Sequence, residues 1–69
     1  MTRSAAETYT DRRAEVDEQI RRLREALAAH RARAASRPED WGYAGDLGRL
    51  ATILDEGLSA VGAGEGERR

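Results

Sequence analysis

The sequence predicts an all-α protein, an antiparallel helical hairpin that dimerises into a four-helix bundle. Three observations carry that prediction. An apolar seam of heptad spacing runs through the first half of the chain, a Leu-rich stripe of helical spacing runs through the second, and only a few residues separate the two. The second stripe is wider than one partner helix can cover, which is why a second copy enters the expectation. No stretch alternates in the manner of a strand, and no internal repeat occurs.

The first helix is expected over about residues 5–35. Ser4 to Glu7 reads S-A-A-E, the form of a capping box in which a hydroxyl serves the N3 amide and a Glu reaches back to the cap. From Tyr9 the seam passes through Arg13, Val16, Ile20, Leu23, Leu27, His30 and Ala34 in steps of four and three, the spacing of alternating a and d positions. With Val16 at d, Ile20, Leu27 and Ala34 fall at a, and Leu23 and His30 at d. Asp17 with Arg21 and Glu18 with Arg22 are i,i+4 pairs in the better orientation, each contributing a few tenths of a kcal/mol.

The second helix is expected over about residues 38–61. Ser36 to Glu39 repeats the S-x-x-E form with Pro38 in the first turn, so a short helical turn from Pro38 to Trp41 is expected to lead into the main helix. Leu47, Leu50, Ala51, Leu54, Leu58 and Val61 share one face. Ile53, Gly57 and Ala60 form an adjoining stripe, expected to be the partner interface. Gly62 is placed to end the helix as a C′ glycine. Residues 1–62 are thus read as a single hairpin domain and residues 63–69 as a disordered tail.

The connecting stretch "RPEDWGYAGDL", residues 37 to 47, holds the only Trp, the only Pro and one of the two Tyr of the chain. At a hairpin tip the core needs closing against water, and Trp41 and Tyr43 carry large apolar areas for that purpose. Trp41 folded over Ala34, Leu47 or Leu27 as a plug is the preferred reading. The alternative is a recognition surface built from Trp41, Tyr43 and Arg37, residue types enriched at binding hot spots.

Composition limits the chemistry. At 69 residues with no Cys, the chain has a thin core, no disulfide framework and no thiolate ligands, so self-association is the remaining source of stability. His30 is the only imidazole, and neither Glu25 nor Asp40 stands at a chelating spacing from it. It is therefore read as a polar seam residue that sets register. No nucleophile stands beside a base, no Gly-rich loop follows a strand and no zinc spacing occurs. No catalytic, cofactor-binding or metal residue is assigned, and an enzyme is not expected.

Charge is unevenly placed. Residues 21–37 hold six Arg against one acid, giving +5, and residues 38–69 hold seven acids against three Arg, giving −4. The two segments attract, and that asymmetry sets register more than affinity. The same basic segment raises an alternative, a nucleic-acid contact through Arg21, Arg24 and Arg31 following a phosphate track. The flanking acids and a net charge of −1 favour an internally compensated face instead. The first residues lack the apolar run of a signal peptide, and no span of about 20 apolar residues occurs. The expectation is therefore a soluble cytoplasmic protein without a membrane partner.

The segment "EDWGYAGDLGRLATILDEGL" resembles a motif of tryptophan, glycine, aromatic, spacer, glycine, Asp and Leu that precedes a Leu-rich helix in small, largely uncharacterised bacterial helical-hairpin proteins. The likeness covers about twenty residues. It implies an associating helical hairpin and supplies no activity and no catalytic residue. The expected function is a non-enzymatic protein association module, either a homodimer or a helix surface offered to a larger protein.

Overall fold

The computed structural model describes residues 2–63. Two helices account for the regular structure among these residues, α1 at Ala5–Ala35 and α2 at Trp41–Ala60, with no strand. The chain divides between Ala35 and Ser36 into two compact units, one around each helix. The expected tail beyond Ala63 lies outside the described residues.

The start of α1 is fixed by the capping box. The Glu7 amide donates to Ser4 Oγ at 3.0 Å, and the Ser4 amide donates to Glu7 Oε1 at 3.0 Å. Two amides that the first turn leaves without helical acceptors are thereby satisfied. Arg3 adds a brace across two turns by pairing with Asp11. The helix then continues for 31 residues to Ala35. It stops where Pro38 intervenes, because the proline ring disfavours helical geometry at Arg37.

The ion pairs along α1 differ from the expected ones. Asp17 pairs with Arg13 rather than Arg21, at 3.4 Å. Glu18 pairs with Arg21 rather than Arg22, and Arg21 also reaches Glu25. Arg21 has a carboxylate one turn behind and another one turn ahead, and its forked guanidinium can hold both. That leaves Asp17 to Arg13, one turn behind it.

The start of α2 corrects the sequence expectation. The Ser36 to Glu39 box does not start the helix; Pro38 and Glu39 lie in a turn closed by the Asp40 amide donating to the Arg37 carbonyl at 3.1 Å. Pro38 occupies the second position of that turn, where its fixed φ is suited. Asp40 is the N-cap: its backbone is extended, and its Oδ1 accepts from the Gly42 amide at 2.8 Å. An Asp one residue before the first helical position meets the N2 amide without a proline-constrained approach.

The end of α2 is as expected. Gly62 has a φ of +83°, the Gly62 amide donates to the Ser59 carbonyl at 3.0 Å, and the Ala63 amide donates to the Leu58 carbonyl at 2.8 Å. These two bonds are those of a Schellman motif with Val61 as C-cap and glycine at C′.

Candidate association surface

The apolar face of α2 is set by the spacing of its aliphatic residues. Counting about 100° per residue from Trp41, Tyr43, Leu47, Leu50, Leu54, Leu58 and Val61 fall on one side of the helix. Trp41 itself falls on the other, about 180° from Leu50. The two aromatics of the connecting stretch therefore separate: Tyr43 joins the Leu face and is half-buried, while Trp41 is 85% exposed. A ring in that position covers none of the Leu face of its own helix. Trp41 instead forms one wall of a shallow, open hollow with Pro38, Glu39, Asp40 and Ala44, and Arg37 is exposed in the connecting turn.

No described residue is buried. Leu50 is the one aliphatic of α2 that is half-buried. Leu47, Ile53, Leu54 and Leu58 retain between 43% and 55% of their surface in contact with solvent. Gly57 and Ala60 are exposed beside Ile53, and a Cβ added at Gly57 would meet nothing within 4 Å. On α1 the seam residues Leu23, Leu27, His30 and Ala34 are half-buried, while Tyr9, Val16 and Ile20 nearer its start are exposed. Apolar side chains therefore remain in contact with solvent on both helices.

The Arg-rich part of α1 is partly compensated. Arg24 and Arg31, seven residues apart, share one stripe and are exposed. Arg21 lies about 60° to one side and is held by Glu18 and Glu25. The Glu18 hydrogen bond is the main cause that raises the Arg21 guanidinium above its ordinary range. The reciprocal bond from Arg21 holds the Glu18 carboxyl below its ordinary value. Arg13 is raised in the same way, first by its hydrogen bond to the Tyr9 side chain and then by the charge of Asp17. The three Arg named for a phosphate track therefore do not form one uniform row.

Among the described residues, no group of three or more His, Asp and Glu is placed to hold a metal ion. No helix of the described residues is long and apolar enough to cross a membrane. The sequence reading missed Asp40 as the cap and Tyr43 as a member of the Leu face. The first follows from the helix starting at Trp41, and its signal is the D-W-G order, which sets a carboxylate two residues before a glycine amide; the second needed only the helical step counted back seven residues from Leu50 to Tyr43. No known protein family matches the chain, and no curated protein or solved structure matches it either.

Proposed function

We propose that this chain is a non-enzymatic protein association module. In this reading α1 and α2 pair as an antiparallel hairpin, and two hairpins associate into a four-helix bundle. The observation that carries the reading is the exposed Leu face of α2, continuous with Ile53, Gly57 and Ala60, in a chain whose described residues include none that is buried. The hydrophobic effect contributes about 25 cal/mol for each Å² of apolar surface removed from water. A chain of this size that leaves its aliphatic face in solvent gains most by covering it with another helix.

The short connection supports the hairpin. Residues 36 to 40 alone join the helices, and helices joined by so few residues pack antiparallel. At 31 residues α1 exceeds α2, at 20, so the first turns of α1 project past the hairpin and carry Tyr9 with them. Trp41, facing away from the Leu face, then serves as a recognition residue or as a plug completed by a second chain.

The test is Leu54→Ala. Burial in the assembled protein gives an expected loss of about 2 to 5 kcal/mol, seen as a melting temperature that drops and loses its rise with protein concentration. An unchanged melting curve would remove Leu54 from the core and the proposal with it. A nucleic-acid module instead expects binding of an oligonucleotide that weakens steeply with salt and with changes at Arg24 and Arg31. The compensation of Arg21 by Glu18 and Glu25 favours the protein partner.

A further inference from the structure

Within α1 the charge changes sign at mid-helix. Residues 5–20 carry five acids against two Arg, Arg12 and Arg13, giving −3. Residues 21–35 carry five Arg against Glu25, giving +4. The seam runs through both halves without a break, and its first part, Tyr9, Val16 and Ile20, is exposed. One helix thus presents a seam, apolar apart from Arg13 and His30, with opposite charge at its two ends.

We infer that α1 pairs with α1 of a second copy, in antiparallel orientation, so that the acidic half of each lies along the basic half of the other. This rests on the reading that the chain self-associates and specifies the direction and register of the contact. Antiparallel helices set a positions level with d positions, and one register does so along the whole seam. It places Ile20 against the partner's Leu23, Val16 against the partner's Leu27 and Tyr9 against the partner's Ala34. The two-fold axis then passes between Arg21 and Arg22, and every contact occurs twice.

The flank of the seam fits the same register. Asp17 and Arg24 are e positions one heptad apart, so Asp17 of one copy comes beside the partner's Arg24. The polar layer is compensated as well: Arg13 meets the partner's His30 while Asp17 already lies 3.4 Å from the Arg13 guanidinium. On the opposite flank the same register brings Arg12 beside the partner's Arg33, a like-charge contact. A parallel pairing lacks the level a and d layers and keeps one attractive flanking pair, Arg12 with the partner's Asp17. It sets acidic half on acidic half and basic half on basic half, and like charges in that arrangement repel.

The absence of Cys from the chain makes the orientation directly readable. Asp17→Cys and Arg24→Cys variants are prepared separately, mixed, and oxidised at a protein concentration where sedimentation shows dimer. The antiparallel register expects a disulfide-linked species containing one chain of each variant, with neither variant linking to itself, since like sites then stand about 13 Å apart along the axis at position 17 and about 8 Å apart at position 24, against about 3 Å between position 17 and the partner's position 24. Self-linking of each variant alone would establish a parallel contact and overturn the inference. A dimer with no cross-link of either kind would place the contact elsewhere, overturning the inference while leaving self-association intact. A monomer at every concentration would overturn both.

A charge exchange provides the second reading without a disulfide. Asp17→Arg alone is expected to weaken the dimer about tenfold, because two exposed ion pairs become two repulsions. The double variant Asp17→Arg with Arg24→Asp is expected to recover most of that loss. Additive losses in the double variant would contradict the pairing.

Discussion

At the scale of single residues, the cap at Asp40 and the glycines of α2 give the sharpest expectations. Asp40→Ala removes the acceptor of the Gly42 amide and is expected to cost about 1 kcal/mol, read as a lower melting temperature and a frayed first turn in hydrogen exchange. Full protection of the Gly42 amide in that variant would show that another group caps the helix. A Cβ at Gly42 would come 3.0 Å from Asp40 Oδ1, so Gly42→Ala strains the same cap. Gly45, Gly48 and Gly57 meet nothing. Gly45→Ala and Gly48→Ala are therefore expected to stabilise the protein by up to about 1 kcal/mol each, through helix propensity alone. Gly57 lies in the stripe proposed to meet the second copy, where its lack of a Cβ lets another backbone approach. Gly57→Ala is expected to raise helicity in dilute solution and to weaken the dimer. Equal stabilisation by all three substitutions at high concentration would remove Gly57 from the interface.

At the scale of the helix, charge and caps explain why α1 and α2 begin and end where they do, and which of these points could be read in advance. The start of α1 was legible because the Ser4 to Glu7 box is local and complete, although Thr8 and Thr10 offered later starts. The end of α2 was legible for the same reason at Gly62. The start of α2 was not, since Ser36 to Glu39 has the same form as a true box and only the turn at Pro38 tells them apart. That shift of three residues moved the cap to Asp40; the placing of Trp41 away from Leu50 and of Tyr43 on the Leu face follows from spacing alone and was within reach of the sequence. The Ile53, Gly57 and Ala60 stripe was legible because it depends only on spacing within an unbroken helix. Partner choice among ion pairs was not, because Arg21 lies within reach of carboxylates on both sides.

The Glu18 and Arg21 pair also gives α1 a pH dependence. Because the folded helix holds Glu18 below its ordinary value of 4.5, it binds protons less readily than the unfolded chain. Its contribution is therefore fully present above that value and is lost as pH falls through the lower folded value. A small loss of helix signal on acidification is expected in circular dichroism, and Glu18→Gln should reduce it. An acid transition of unchanged size in Glu18→Gln would assign the loss to other carboxylates. The raised Arg13 and Arg21 values affect only strongly alkaline solution and leave neutral behaviour unchanged.

At the scale of the whole molecule, the central claim is that the chain completes its core with a second copy. A short, Cys-free sequence has no disulfide to constrain its unfolded state, and its aliphatic residues are concentrated on one face of each helix instead of in an enclosed centre. In the proposed dimer, apolar contact supplies the affinity, while the opposed charges of the two halves of α1 select orientation. These two contributions respond differently to salt: screening weakens the exposed pairs and leaves apolar burial intact.

Sedimentation equilibrium over a range of concentrations, at low and at high salt, tests this most directly. A dimer that persists at high salt is the expected result. A folded monomer at all concentrations would contradict the account, leaving the Leu face of α2 to a different protein.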